Sequence, residues 1–412
     1  MKILVISTLY PPHVIGGAEK AAAMLAEAMV DKGLDVVVIS LHPEAEERVE
    51  ERNGVRVYRL PLDNFYWPFN RAKKPGALSR IAWHVREMWN RKAARRIGRI
   101  LDIEVPDVVH THNISGFSVA AWREVKRRNI HLVHTLHDYY LMCSRYSLFR
   151  RGGACEKRCS DCRVLTFNRK GASRMPDALV SVSNYTLDHH KRLGYFQNVP
   201  PEVIYNIQAV KNTRVASPLA TSKDPAVLTF GFIGRIEEEK GIETLLGATQ
   251  LLVQSNWRLK IAGKGIEAYV KGLQDQFPDP RIEWMGFTAA PDFYAAVDTV
   301  VIPSQWAEPL PYVCVESLHA GKALICARVG GLPEIAQLSN VVEFFSAGSV
   351  AELSKAMNDA LADSSRWKES APLASSVLNQ FTEEAVLEKY MRVYQVDASI
   401  IEKLRHTSNA LV

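Results

Sequence analysis

The sequence predicts an α/β protein built from two doubly wound parallel-sheet domains and a closing helix, and three observations lead there. The chain has 412 residues, which at roughly 150 residues per domain means two or three domains. Short runs rich in Val and Ile, closed by Gly, Pro or Asn, alternate with segments of helical period, and the alternation occurs twice. The runs lack strict polar alternation, so both strand faces are buried, as in a parallel sheet covered by helices.

Taken in order, the first domain is expected over 1–205, with strands at 2–7, 35–40, 54–60, 107–112, 131–137, 178–183 and 202–205. Helices are expected at 18–31, 78–101 and 117–128, and a Cys-rich insertion at 143–163. The polar, Pro-containing stretch 211–225 reads as a linker. The second domain, 206–380, repeats the pattern with strands at 227–233, 258–262, 281–285, 299–303, 323–327 and 341–345. Its helices fall near 241–253, 266–276, 291–297, 312–320, 333–338 and 350–362. A final helical stretch, 383–395 within the segment 381–412, is expected to cross back and brace the two domains. Two such units would set a cleft between the carboxyl ends of their strands, where open α/β sheets bind ligands.

With 47% hydrophobic and 23% charged residues, 23 Gly and 20 Pro, the composition is that of a globular enzyme and excludes collagen-like, disulfide-scaffold and disordered classes. No window reaches the roughly 18 uncharged apolar residues of a membrane span, and the opening apolar run is short and meets Pro11 and Pro12. A cytoplasmic location is expected, with peripheral attachment to the inner face of the membrane as the variant that the charge suggests. Residues 1–200 carry 32 Lys and Arg against 20 Asp and Glu, whereas residues 201–412 carry 19 against 25. Between Arg71 and Arg99 ten basic side chains meet the single acid Glu87, interleaved with Trp83, Trp89, Ile81 and Ile97. Such a basic amphipathic helix suits an anionic membrane surface or phosphates; the alternative is a solvated helix face.

Two segments carry chemistry. Gly234-Arg235-Ile236-Glu237-Glu238-Glu239-Lys240-Gly241 follows an apolar strand and opens a helix, which aims two cations and free helix N–H groups at one spot suited to a diphosphate. Glu308-Pro309-Leu310-Pro311-Tyr312-Val313-Cys314-Val315-Glu316 sets two carboxylates on either side of a strand-to-helix turn. Carboxylates accept from paired sugar and ribose hydroxyls.

With their order and context, these segments resemble the GT-B nucleotide-sugar glycosyltransferases, in particular the large retaining family four (glycosyl transferases group 1). The family's Gly-Arg-x-x-x-x-Lys-Gly stands at Gly234 to Gly241 and its Glu-x7-Glu at Glu308 to Glu316. Its glycine-rich loop appears as Gly16-Gly17-Ala18-Glu19, and its Gly-Gly-x-x-Glu turn as Gly330-Gly331-Leu332-Pro333-Glu334. Gly263-Lys264-Gly265, His110-Thr111-His112 and Phe381-Thr382-Glu383 are further echoes. The resemblance implies a GT-B fold of two facing Rossmann-like domains. It implies that Arg235 and Lys240 hold the donor diphosphate and stabilise its developing charge, while Glu316 takes the ribose hydroxyls and Glu308 those of the transferred sugar. Gly16, Gly17, Gly234, Gly265, Leu310, Pro311, Tyr312 and Val313 are expected in the donor site as well. His112 matches the histidine beside the reacting sugar, with His110 and His137 as runners-up.

Two departures stand out. Leu310-Pro311 replaces the commoner Phe-Gly, removing one backbone donor, and Pro309 stiffens the turn. Transfer in this family proceeds with retention and needs no protein nucleophile, the leaving diphosphate taking the acceptor proton. The sequence has no Asp-x-Asp triplet, so no cofactor is expected for catalysis.

Cys143, Cys155, Cys159 and Cys162 form a cluster amid basic residues, and in a reducing compartment they read either as a structural zinc site or as free or transiently oxidised thiols. Cys314 and Cys326 sit in apolar runs and are expected in the core. The expected partners are a nucleotide-sugar donor, a glycan or lipid-linked acceptor and an anionic membrane surface, and no nucleic acid. Competing readings are an inactive scaffold of this fold in a glycan-assembly complex, or a GT-B relative such as a sugar-nucleotide epimerase or a phosphorylase. An NAD-dependent dehydrogenase is disfavoured, since no Gly-x-Gly-x-x-Gly follows the first strand.

Overall fold

The computed structural model describes residues 1–69, 75–150, 152–155, 157–208, 226–368 and 373–395. The stretch read as a linker, three of the basic residues (Arg71, Lys73, Lys74) and the end of the closing segment lie outside these residues. The described chain falls into two compact units: 1–147, 157–208 and 381–395 form the first, and 148–155 with 226–380 the second.

The first unit contains β1 (Lys2–Ile6), β2 (Asp35–His42), β3 (Arg48–Arg52), β4 (Val55–Pro61), β5 (Val108–Thr111) and β6 (His131–Leu136). A two-residue hairpin, β7 (Phe149–Arg150) and β8 (Gly153–Ala154), groups with the second unit, and β9 (Ala178–Ser181) and β10 (Pro201–Val203) complete the first. The sheet order is β10-β9-β6-β5-β1-β2-β4-β3, parallel except at the β3 edge. The order reverses between β1 and β5, which pair in parallel with Ile6 opposite Thr111. Loops leaving those two strands are therefore neighbours at the carboxyl edge, where ligands bind in open α/β sheets.

The second unit contains β11 (Leu228–Ile233), β12 (Trp257–Ala262), β13 (Ile282–Gly286), β14 (Thr299–Ile302), β15 (Ala323–Ala327) and β16 (Val342–Phe345). Its order, β13-β12-β11-β14-β15-β16, reverses between β11 and β14 and is the dinucleotide-binding order, all parallel.

Every strand expected from the sequence is present to within two residues at each end. The charged edge strand β3 and the hairpin β7–β8 were not expected. The long basic helix is instead two helices, Ala77–Met88 and Arg91–Glu104, because Asn90 caps the second by accepting from the Ala93 N–H. Trp83 and Ile97 are buried. So is Glu87: it accepts from the Tyr140 hydroxyl at 2.6 Å and the Gly116 N–H at 2.9 Å, so it is an interior acid rather than a surface one.

Each unit has its own core. In the first, Ile3, Val5, Met29, Val38 and Val57 pack with Val386, Leu387, Tyr390 and Met391 of the closing helix Glu383–Val393. In the second, Phe230, Leu259, Ile261, Leu245 and Met357 lie together. Each fully buried aliphatic or Phe side chain stabilises its unit by about 1.5–3 kcal/mol. Cys314 and Cys326 are fully buried, as expected.

Candidate active sites in the two units

In the second unit, the β11 loop runs from Gly234 through a single 3-10 turn (Glu238–Lys240) to Gly241 and the helix Ile242–Thr249. Gly241 has φ +74°, and a Cβ there would lie 1.8 Å from the Pro303 carbonyl oxygen, so only glycine lets this loop press against the end of β14. The Gln305 N–H donates to the Glu239 carbonyl at 2.9 Å across the same join. The result is an ion pair between the two sequence motifs: Lys240 Nζ lies 2.8 Å from Glu308 Oε1.

Glu308 is buried, and its carboxylate also accepts from the Ser304 hydroxyl. The ammonium of Lys240 sits 5.5 Å from the centre of the Trp306 ring, within cation–π range. Gly330, at φ +62°, packs its α-carbon against the Glu308 backbone, where a Cβ would come within 2.5 Å, and the Gly331 N–H donates to the Glu308 carbonyl at 2.7 Å. The Gly-Gly turn thus fixes the backbone of the first glutamate. Arg235 pairs with Glu237 and, at 3.1 Å, with Glu239. Gly265 packs on the Ile236 backbone, which forms an isolated bridge to it.

The second glutamate is held separately. Pro311 precedes the helix Tyr312–His319, and its carbonyl starts the helix by accepting from Cys314 at 3.1 Å. Glu316, on that helix, accepts from the Tyr294 hydroxyl at 3.0 Å. Leu310 and Pro311 are buried, while Tyr312 and Val313 are half-buried. Sequence reasoning missed Tyr294, Ser304 and Trp306. The last two lie in the short stretch between β14 and Glu308, a readable signal, but nothing local marks Tyr294.

In the first unit, Gly16 precedes the helix Gly17–Asp31 and Glu19 folds back to accept from its N–H at 2.8 Å, satisfying a donor at the helix start. Gly16 is exposed, and a Cβ on it would make only an ordinary contact with Glu19. Thr8, just past β1, is joined to the β5 loop: its N–H donates to the Asn113 carbonyl at 2.7 Å and its hydroxyl to the Ser115 carbonyl at 2.8 Å.

The three histidines separate by their partners. His110 is saturated, with Nε2 2.7 Å from Thr135 Oγ1 and Nδ1 2.7 Å from the Tyr394 hydroxyl. His112 is buried and uses Nδ1 toward His137 Nε2 at 2.8 Å, while its Nε2 has no hydrogen-bond partner. Burial first, and the neighbouring histidines next, hold His110 and His112 well below the usual imidazole range, and burial brings His137 down to about 4. His112 is therefore neutral at pH 7, and whichever role its Nδ1 takes toward His137, its Nε2 takes the other.

Beside this pair, Asp138 accepts from Asn113 Nδ2 at 3.0 Å and from the Tyr140 N–H at 2.7 Å, and burial pushes its carboxyl up to about 7. Burial also pushes Glu87 up to about 7. A pocket of about 10 Å³, room for one water at most, is lined by His112, Asn113, His134, Asp138 and Tyr140. Asn113, Asp138 and Tyr140 were not singled out from the sequence, although Asn113 and Asp138 directly follow the two histidines that were. Among the cysteines, the Cys162 sulfur lies 3.9 Å from that of Cys159 and 4.0 Å from that of Cys143.

Comparison with known proteins agrees with this fold. Residues 16–206 match the family described as Glycosyl transferase 4-like domain, and residues 228–363 match Glycosyl transferases group 1. A Klebsiella pneumoniae protein described as "Uncharacterized 42.6 kDa protein in cps region" is 34% identical over 338 residues, 82% of this chain and 88% of that one. The fold is also that of sucrose-phosphate synthase from Thermosynechococcus elongatus, with TM-score 0.75 at 19% identity, covering 96% of this chain and 98% of that one. HepE of Anabaena, solved with UDP and glucose, superposes with TM-score 0.69 at 18% identity over 96% of this chain and 100% of that one.

Proposed function

We propose, for a chain that belongs to the group 1 glycosyl transferases and has their GT-B fold, transfer of a sugar with retention from a nucleoside-diphosphate donor to a glycan or lipid-linked saccharide. The setting is bacterial surface polysaccharide synthesis, which the Klebsiella relative's place in a cps region supports. The observation that carries the reading is the Lys240–Glu308 pair at the point where the strand order of the second unit reverses. A cation and an acid side by side there match a ligand that is anionic at one end and hydroxyl-rich at the other.

In this reading Lys240 and Arg235 bind the diphosphate and stabilise the charge that grows as the C1–O bond breaks. Glu308 accepts from the sugar hydroxyls and Glu316 from the ribose. The acceptor oxygen bonds to C1 on the face the diphosphate leaves, and its proton passes to the diphosphate. Neutral His112 offers Nε2 to a sugar hydroxyl. Exposed Gly16 and half-buried Gly17 carry no Cβ that would keep phosphate or acceptor from the backbone. No step calls for a metal ion, so transfer should continue in EDTA; loss restored by Mn²⁺ would contradict this reading.

The acceptor's lipid end is supported by the helix Ala77–Met88, which turns Leu78, Ile81 and Val85 to solvent beside Arg80 and Arg86. We propose that this face rests on an anionic bilayer; equal partitioning onto neutral and anionic vesicles would exclude it. The test of the donor reading is a thermal-shift screen of UDP-, GDP-, ADP- and dTDP-sugars. At least one should raise the melting temperature of the wild type and none that of Lys240→Ala. No shift with any of them would remove the assignment.

A further inference from the structure

Outside both candidate active sites, three thiols gather in the first unit. Cys143 lies on the turn that starts at Tyr139, its N–H donating to the Tyr139 carbonyl at 2.8 Å. Cys159 precedes the short helix Ser160–Leu165, and Cys162 lies in its first turn. Cys143 and Cys162 are buried. The sulfur of Cys162 stands 3.9 Å from that of Cys159 and 4.0 Å from that of Cys143.

Those separations have a chemical meaning. Sulfurs joined in a disulfide lie about 2.05 Å apart. Sulfurs bound to one zinc at about 2.3 Å in a tetrahedron lie about 3.8 Å apart. The two observed separations match the second geometry, and the donor atoms of Cys159, Asp161 and Cys162 all lie within 4.8 Å of one another, with Cys143 reaching the group through Cys162. We propose that Cys143, Cys159 and Cys162 hold a structural zinc ion as thiolates.

The fourth donor comes from the same segment. A carboxylate oxygen of Asp161 lies within 4.8 Å of the Cys159 and Cys162 sulfurs. Four protein donors close the site to solvent, which makes the ion structural rather than catalytic. Its effect follows from what it ties together. The Cys143 turn carries Tyr139 to Met142 and follows directly on His137 and Asp138, and Arg158 already reaches back from the cysteine segment to the Met142 carbonyl at 3.1 Å. A zinc ion would join that segment to the turn and so stiffen one wall of the His112–His137 pocket.

The proposal does not depend on the sugar donor, and its test is independent of activity. Full-length protein purified under reducing conditions is analysed for metals by mass spectrometry. A mercurial thiol reagent is then titrated in while a chromogenic zinc indicator reports release. The expected result is about one zinc per chain, released as the thiols react. Cys143→Ser and Cys162→Ser should each lose the metal. Because either variant could misfold, thiol alkylation of the wild type is mapped by mass spectrometry: Cys143, Cys159 and Cys162 should be protected until a strong zinc chelator is added. Asp161→Asn should lose the metal as well, while Cys155→Ser, in the second unit, should keep it. A zinc-free wild type, undiminished zinc in Cys162→Ser, alkylation unaffected by the chelator, or zinc kept by Asp161→Asn would overturn the proposal.

Discussion

The two units solve the same topological problem with opposite electrostatics. Each reverses its strand order once, and each gathers its candidate residues at that reversal. In the second unit the gathered groups are charged and paired, Lys240 with Glu308 and Arg235 with Glu237 and Glu239. In the first they are enclosed, and burial works against charge: His112 and His137 stay unprotonated at pH 7, and the Asp138 carboxyl is lifted to about 7. One fold thus offers one place lined by paired charges and another where burial disfavours charge. A bare carboxylate or imidazolium would be destabilised in the second kind of place, and a diphosphate would find too little counter-charge there.

If that contrast is right, the largest effect belongs to the charged site. Lys240→Ala should lower kcat/KM about 100- to 1000-fold and abolish the donor's thermal shift, while circular dichroism stays unchanged. A variant with near wild-type turnover would break the comparison at its strongest point.

Next comes the division of labour among the histidines. His112→Ala should reduce kcat about 100-fold, the scale of a lost proton-handling group. His110→Phe removes bonds to Thr135 and Tyr394. It should instead cost about 1–3 kcal/mol of stability, read by urea denaturation, with turnover per folded molecule kept. The reverse outcome would exchange the two assignments.

The smallest effect is one of pH. The Asp138 carboxyl ionises near pH 4 in the unfolded chain and near 7 when folded. Between those values the folded state holds the extra proton, so this group's contribution to stability falls as pH rises from 4 to 7. The buried histidines act in the other direction, because their folded values lie below the unfolded one and they lose stability as pH drops below about 6.5. Asp138→Asn removes only the first effect. Its melting temperature relative to wild type should therefore climb steadily from pH 4 to 7. A flat difference would show that Asp138 is ordinarily ionised.

Much of the architecture was readable because a parallel strand buried on both faces needs an unbroken apolar run, as at β15 (ALICA), whose expected ends coincide with the observed ones. The β3 strand (RVEER) was not readable, since an exposed antiparallel edge carries charges and has no such run. The break in the basic helix did have a signal, the capping residue Asn90, which the continuous helical period on both sides obscured. At the sites, the Arg235, Lys240, Glu308 and Glu316 motifs stood out because their residue types and spacing are unusual together. Tyr294, which steadies Glu316 from 22 positions away, carries no mark that a buried aromatic would lack.

What the amino-acid order determined by itself was local: which runs become parallel strands, where helices begin, and which loops carry charge, because these depend on periodicity and side-chain chemistry over a few residues. Tertiary structure alone decided that Lys240 meets Glu308 across 68 positions and that His112 meets His137 across 25. Those meetings depend on which strands lie side by side, and burial then sets the charge of each group, a property of the surrounding packing rather than of the residue.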